Sequence, residues 1–452
     1  MPPRLEEFLA NLALTGLVSP EVLRATRASL ACEPAEDASL RMARALIIQG
    51  ALTSYQAKKV LEGATKGFFL GGYRLLKRIG EGGMGKVYLA RKGEGSRVAI
   101  KVLPPKKALE DPRSLERFIR EARLSQRVNH PSIARTLEFD THDGVHYLVL
   151  EYVPGASLYQ LVKSKTGGPW TVPEAVRYFA QVLEGIQAAH QAGVIHRDIK
   201  PSNLMVTPKG DAKILDLGLA RALDDVESDR LTREFSIVGT LDYASPEQLS
   251  DAAGADARSD IYSLGCTLYF ALVGQPPFPG GDAINKIYKQ RMEDAPPLEQ
   301  MAAGVPAAFA AIVRKMMAKR PEDRYQNCAD VRADLVRWLD PKLLKNLAAT
   351  KSGTVRTFRP PPPEMDDHEL KFLEESVSDS RISTDSLKNL GSSEIAPAPR
   401  NPPPVLPRRV HTRKSLSSFH QGNAPATSRM PLLLAGLALL TVLTLVFFRW
   451  IL

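Results

Sequence analysis

Cysteine is scarce in this chain of 452 residues. Only three occur, Cys32, Cys266 and Cys328, and they are widely spaced without a CxxC pair. An odd number of scattered cysteines argues against a disulfide framework and against a cysteine zinc site. These absences fit a reducing compartment such as the cytosol.

The N-terminus lacks the features of a secretory signal peptide. Its first residues, MPPRLEEFLANLAL, carry acidic side chains within the apolar stretch. They provide no continuous apolar core followed by a small-residue cleavage site. No internal repeat is evident either.

The net charge of +10 does not by itself indicate a nucleic-acid partner. Charge alone reports solubility and non-specific attraction. Part of the excess lies between Arg400 and Arg429, a stretch with six Lys or Arg and no Asp or Glu. Aromatic residues are not interleaved there as a stacking platform for bases requires. We therefore expect no nucleic-acid binding.

Residues 1–66 have the pattern of a small helical module. Apolar residues recur at helical spacing, and Gly16 is placed to end the first helix. Ser19, followed by proline, predicts the cap of a second helix. Thr53 and Gln56 are spaced as a capping box for a further short helix. Two interpretations stay open, a helical extension packed on the next domain and a docking module for a regulator.

From residue 73 to 339 short strand-like runs come first and helical patterns come after them. This order predicts an α+β domain with a β-rich lobe at 73–153 and an α-rich lobe at 154–339. The predicted strands are Tyr73 to Ile79, Lys86 to Leu89, Arg97 to Leu103 and Tyr147 to Tyr152.

Residues 340–429 are rich in proline and serine. Such a segment buries too little apolar surface to offset its conformational entropy, so we predict a disordered linker.

From Pro431 to Phe448, eighteen successive residues carry no charge. A helix of this length spans roughly 27 Å, close to the ~30 Å hydrocarbon core of a bilayer. A buried core helix is the alternative, but a helix that is apolar on every face has no core to enter after a disordered linker. We expect a single transmembrane helix at 430–450. The basic residues before it predict that the preceding chain lies on the cytoplasmic side of the cytoplasmic membrane.

The stretch IGEGGMGKVYLA contains the pattern G-x-G-x-x-G at Gly80, Gly82 and Gly85, with Val87 two positions later. Glycine is needed where the backbone approaches nucleotide phosphates closely. Dinucleotide-binding turns share this pattern, but they are followed by a helix, whereas a strand comes next here.

Lys101 ends the apolar run Val-Ala-Ile-Lys, and Glu121 lies on a helical pattern further on. Either residue alone is usually a solvated surface group. Together with the glycine-rich turn, Lys101 becomes the candidate cation for the α- and β-phosphates, held in place by an ion pair with Glu121.

The segment VIHRDIKPSNLMV at 194–206, followed by KILDLG, carries H-R-D-x-K-P-x-N and D-x-G in order. Here the sequence resembles the eukaryotic-type (Hanks-type) protein kinases, most closely their bacterial serine/threonine branch. The resemblance covers about 265 residues and implies the bilobal protein kinase fold. Leu217 stands where the family commonly has phenylalanine. The neighbouring Asp216 matches the family motif.

The resemblance implies a role for each matching residue. Asp198 accepts or orients the proton of the substrate hydroxyl, and Lys200 offsets charge on the transferring phosphoryl group. Asn203 and Asp216 hold Mg²⁺, or Mn²⁺, beside ATP. The nucleotide is expected to contact Ile79, Gly80, Glu81, Gly82, Gly83, Gly85, Val87, Ala99, Lys101, Glu121, Glu151, Val153 and Asp216.

The resemblance also implies supporting contacts around the activation segment at 216–247. Arg324 is expected to pair with Glu247, and Asp260 is expected to be the buried support of the catalytic loop. Candidate phosphorylation sites in the segment are Ser228, Thr232 and Ser236. Arg197 resembles the arginine that binds an activation-loop phosphate.

The expected function is a membrane-anchored signalling kinase that transfers the γ-phosphoryl group of ATP to Ser or Thr of proteins. Lys200, together with Thr240, matches the serine/threonine-selective pattern. Expected partners are protein substrates, the membrane, and a second copy of the chain in autophosphorylation. A catalytically silent pseudokinase, or an adaptor scaffold at the membrane, is the alternative. Because every catalytic motif residue is present, the active enzyme is favoured.

Overall fold

The computed structural model describes residues 3–30, 38–82, 85–103, 112–164, 167–217, 241–250 and 254–339. The predicted linker at 340–429 and the predicted transmembrane helix at 430–450 lie outside these ranges. Within them, no helix combines the length and the apolar character needed to cross a bilayer.

In the described part of residues 1–66, four helices form the N-terminal module. They pack their apolar faces around a core that includes Phe8, Leu12, Met42, Leu46 and Val60. The helices are α1 (Leu5–Thr15), α2 (Pro20–Ser29), α3 (Ala38–Ile48) and α4 (Ser54–Leu61).

The predicted helix ends of the module are confirmed. Gly16 comes directly after α1 in the left-handed conformation, with φ of 68°, which a residue without Cβ adopts easily. The Ser19 side chain accepts a hydrogen bond from the Val22 amide at the start of α2. Thr53 and Gln56 form the reciprocal capping box of α4.

Over its described residues, the N-terminal lobe contains an antiparallel sheet of six strands. Helix α5 (Pro112–Ser125) packs against it through Phe118 and Ala122. The strands are β1 (Phe69–Leu70), β2 (Tyr73–Gly82), β3 (Gly85–Lys92), β4 (Arg97–Val102), β5 (Thr136–His142) and β6 (Val145–Glu151). They lie in the order β1-β2-β3-β4-β6-β5. Strand β5 was not predicted, because its sequence TLEFDTH is polar and mostly half-exposed.

The C-terminal lobe is built on α9 (Ala257–Val273), which is buried from Ser259 to Leu272 and carries only one charged residue, Asp260, in that stretch. A helix of this kind belongs in the centre of a domain. The other described helices of this lobe are α6 (Leu158–Lys163), α7 (Val172–Gln191), α8 (Pro246–Ser250), α10 (Ala283–Met292), α11 (Leu298–Met301), α12 (Ala307–Met316) and α13 (Cys328–Val336). A small sheet of β7 (Ala156–Ser157), β8 (Leu204–Val206) and β9 (Ala212–Ile214) lies beside the loop after α7.

Candidate active site

The loop between α7 and β8 is held by the carboxylate of Asp260 on α9. Its two oxygens accept hydrogen bonds from the backbone amides of His196 and Arg197, each at 2.8 Å. His190 on α7 approaches the same carboxylate, with Nε2 at 2.7 Å. Asp260 is fully buried, so these donors supply the hydrogen bonds that water would otherwise provide.

This arrangement keeps the Asp260 carboxyl ionised and fixes a strained backbone. Burial alone would raise the pKa of Asp260, but the hydrogen bond and charge of His190, with His196 nearby, hold that pKa below its usual value. Arg197 is held at φ of 66°, a conformation that non-glycine residues adopt at a cost of roughly 1–3 kcal/mol. The predicted support role of Asp260 is confirmed. His190 was not predicted, although its position four residues after the buried Ile186 on α7 is a signal for it.

Asp198 presents one carboxylate oxygen to protein partners and leaves the other without one. Its Oδ2 lies 2.9 Å from Lys200 Nζ and accepts a hydrogen bond from Asn203 Nδ2 at 3.1 Å. Its Oδ1 is buried and has no hydrogen-bond partner within the described part of the chain. An unsatisfied buried acceptor costs roughly 1–3 kcal/mol, so a ligand hydroxyl that donates to Oδ1 would recover this energy.

Lys101 and Asp216 meet across the two lobes. The Lys101 Nζ, on β4, lies 3.2 Å from Asp216 Oδ1, and the lysine is only 6% exposed. Asp216 is in the left-handed region, with φ of 57°, another strained residue of the kind found at functional sites. The side chain of Glu121 lies outside the described residues, so its predicted ion pair with Lys101 stays a prediction.

Hydrogen bonds to the backbone of Leu215 join the segment that follows β9, and carries Asp216, to the Asp198 loop. The Leu215 amide donates to the Asn203 carbonyl at 2.8 Å, and His196 Nε2 lies 2.8 Å from the Leu215 carbonyl, to which it donates. The predicted carboxylates and the lysine therefore line one site. Had they lined separate cavities, the expected chemistry would have been excluded.

The donor atoms of this site suit a hard divalent cation. Because Asn203 Nδ2 donates to the Asp198 backbone carbonyl and to its side chain, Asn203 Oδ1 is the amide atom left for a ligand. Asn203 and Asp216 thus offer oxygen, which Mg²⁺ and Mn²⁺ prefer. No cluster of three or more His, Cys, Asp or Glu suited to a metal occurs among the described residues. Two protein oxygens are enough for Mg²⁺, which takes its other ligands from phosphates and water.

The other predicted nucleotide contacts belong to the N-terminal lobe, which also carries Lys101. The glycine-rich turn joins β2 to β3, with Gly82 opposite Gly85, and Gly83 lies outside the described residues. Ala99 is buried on β4 and Val153 is buried after β6. Two of the predicted contacts are glutamates that form ion pairs within the protein. Glu81 Oε2 lies 2.7 Å from a guanidinium nitrogen of Arg78, and Glu151 Oε1 lies 2.7 Å from Lys213 Nζ. The nucleotide-binding roles of these residues stay predictions.

The predicted pair between Glu247 and Arg324 is confirmed. Both guanidinium NH₂ groups donate to the Glu247 carboxylate, at 2.7 and 2.8 Å. Next to it, Gln248 Nε2 donates to the Arg197 carbonyl at 2.9 Å, a support of the catalytic loop that was not predicted. The candidate phosphorylation sites Ser228, Thr232 and Ser236, together with Thr240, lie outside the described residues.

A β-lobe with a glycine-rich turn and a lysine, joined to an α-lobe with two carboxylates and an amide, defines a phosphotransferase of the protein kinase class. The protein kinase domain model matches residues 73–334. The chain therefore belongs to the protein kinase family.

Known proteins similar to the chain include bacterial serine/threonine-protein kinases. Serine/threonine-protein kinase PknB of Mycobacterium leprae is 42% identical over 270 residues, which are 59% of this chain and 42% of that protein. The probable serine/threonine-protein kinase CE0033 of Corynebacterium efficiens is 35% identical over 385 residues, 83% of this chain and 53% of that protein. The chain spans about half the length of these relatives. Its kinase domain is of the serine/threonine type.

A solved structure is also similar. The Mycobacterium tuberculosis PknI kinase domain aligns with 60% of this chain and 96% of that chain, at 26% identity and a TM-score of 0.47.

Proposed function

We propose that the chain is an active serine/threonine protein kinase that transfers the γ-phosphoryl group of ATP to Ser or Thr hydroxyls of proteins, including other copies of itself. The observation that supports this best is the Asp198 carboxylate. Its Oδ2 is held by Lys200 and Asn203, while its buried Oδ1 has no partner in the described part of the chain. A fixed carboxylate with one free oxygen is suited to take a hydroxyl proton.

The neighbouring residues complete the transfer. Asp198 orients the acceptor hydroxyl and takes its proton as the oxygen attacks the γ-phosphorus. Lys200, beside Asp198, offsets the negative charge that develops on the phosphoryl oxygens, and Lys101 binds the phosphates that leave as ADP. Asn203 and Asp216 would hold Mg²⁺, or Mn²⁺, which would neutralise phosphate charge when bound.

The type of acceptor is tested by incubating the full chain with γ-labelled ATP, Mg²⁺ and a generic basic protein. After acid hydrolysis we expect label on phosphoserine and phosphothreonine and none on phosphotyrosine. Asp198→Asn is the matched inactive control. If wild-type chain binds ATP but yields no more label than this variant, the protein is a silent scaffold and the proposal is wrong.

We further propose that residues 430–450 anchor the kinase in the cytoplasmic membrane as a single span, with the catalytic domain in the cytoplasm. The uncharged run from Pro431 to Phe448 supports this. Leu437→Arg with Leu440→Arg, at roughly 3 kcal/mol each for insertion, is expected to move the chain from the carbonate-resistant membrane pellet to the supernatant. Val405→Arg with Leu406→Arg adds the same charge in the linker and is expected to leave the chain in the pellet. Wild-type chain in the supernatant would disprove the anchor.

A further inference from the structure

Strand β2, which leads into the glycine-rich turn, is only partly covered by its neighbour β1. Strand β1 pairs with it at Tyr73 and Arg74, the first two residues of β2. From Leu75 onward, none of the described strands pairs with that edge of β2. Exposed edge carbonyls need other hydrogen-bond partners, and an open edge is prone to pair with foreign strands.

Helix α4 of the N-terminal module supplies the missing partners. Thr53 Oγ1 donates to the Leu76 carbonyl at 2.6 Å, and Gln56 Nε2 donates to the Leu75 carbonyl at 2.7 Å. Gln56 is fully buried, which is uncommon for an amide side chain and indicates a specific contact. The module therefore closes the edge of β2 at the point where β1 ends.

Leu76 is also the point at which β2 departs from regular pairing. Leu75 pairs with Ala90 and Lys77 with Leu89, so Leu76 is the extra residue of a β-bulge. A bulge bends its strand and changes the direction of the residues after it, and bulges are common beside active sites. Because Thr53 binds the carbonyl of the bulged residue, it holds the strand where the path toward Gly80 is set.

The Thr53 and Gln56 side chains that donate to β2 also form the capping box of α4. Thr53 Oγ1 accepts from the Gln56 amide at 3.2 Å, and Gln56 Oε1 accepts from the Thr53 amide at 3.0 Å. Arg74 of β2 donates to Gln56 Oε1 at 3.1 Å, which adds a bond in the reverse direction. Tyr55 of α4 lies against Tyr88 of β3, with ring centroids 6.3 Å apart. The same two side chains, Thr53 and Gln56, therefore cap helix α4 and attach it to the sheet.

We propose that Thr53 and Gln56 are positioning residues for nucleotide binding, so that the N-terminal module acts as a built-in clamp on the glycine-rich strand. This inference rests on the proposed function, since ATP is the ligand that the clamped turn would bind. The clamp acts on ground-state binding of ATP, because Thr53 and Gln56 donate to the backbone of β2, whereas Asp198 belongs to the C-terminal lobe. A loosened clamp should therefore raise KM for ATP and leave kcat close to its wild-type value.

Thr53→Asp separates docking from capping. Aspartate is among the best helix N-caps, so the start of α4 is retained. An ionised carboxylate cannot donate to the Leu76 carbonyl and is repelled by it. Losing a partly buried hydrogen bond in this way is expected to raise KM for ATP about fivefold to tenfold. Gln56→Glu is the second probe, because it keeps both acceptor roles and loses only the donation to Leu75.

Two comparisons make the test specific. Thr53→Ser restores a hydroxyl that both accepts and donates, and it should recover the wild-type KM. Ser19→Asp introduces the same charge at the N-cap of α2, where the Ser19 side chain accepts a hydrogen bond from the Val22 amide of its own helix, and should also have the wild-type KM. Far-ultraviolet circular dichroism shows whether each variant keeps its helices.

Measurements on the full chain distinguish failure of the clamp from failure of the proposed kinase activity. A folded Thr53→Asp protein with wild-type KM for ATP overturns the clamp, and so does an equal rise in KM for Ser19→Asp. If wild-type chain transfers no phosphate, the proposed kinase activity fails instead. The clamp is then tested by titrating the same variants with Mg²⁺ and ATP, where weaker binding by Thr53→Asp and Gln56→Glu supports it and unchanged binding refutes it.

Discussion

Replacing Asp198 by asparagine is expected to lower kcat by roughly 10²- to 10⁴-fold, with little change in KM for ATP. The amide has nearly the same shape and can still contact Lys200 and Asn203, so the loop is retained. It cannot take the proton of the acceptor hydroxyl, which is the step assigned to the buried Oδ1. Initial rates of phosphate transfer from labelled ATP, measured at several ATP concentrations, separate the two constants.

Asp211→Asn is the matched control for this experiment. Asp211 is an exposed carboxylate in the turn before β9, in the same lobe. The same carboxylate-to-amide change there should keep the wild-type rate. Equal rates for wild type and Asp198→Asn would show that another group takes the proton or that no base is needed.

Replacing Arg324 by lysine is expected to destabilise the C-terminal lobe by roughly 1–3 kcal/mol for each buried carbonyl that loses its donor. All five N–H donors of this buried guanidinium are used, for Glu247 and for the backbone carbonyls of three further residues. The carbonyl acceptors are those of Arg258, Ala318 and Lys319. A lysine ammonium has three donors in a different geometry, so it leaves some of the acceptors in this set without a donor.

Chemical denaturation followed by tryptophan fluorescence measures this loss, since Trp170 and Trp338 both lie in the C-terminal lobe. Arg320→Lys is a suitable comparison, because Arg320 forms an exposed pair with Glu322. Its unfolding midpoint should equal that of wild type, as is usual for surface pairs. An unchanged midpoint for Arg324→Lys would mean that the ammonium replaces the guanidinium at this site.

The parts of the fold that were predicted correctly depend on local signals. Gly16, Ser19 and the capping box at Thr53 act within one turn of helix, and short spacing along the chain reports them directly. Strand β5 was missed because its alternation is weak and its half-buried surface is polar. The residues of the candidate site were found because their order along the chain matches a specific motif, not because any one of them is unusual.

Sequence alone determined the two-lobed domain, the helix caps and the identity of the candidate catalytic residues, since each of these depends on residue type and short-range spacing. Only the tertiary structure decided which side chains hold the site in place. His190 binds Asp260 across 70 positions, and Thr53 binds Leu76 across 23. Such bonds form because folding brings distant donors to buried acceptors that have lost water. Spacing along the chain does not show which distant residues come into contact.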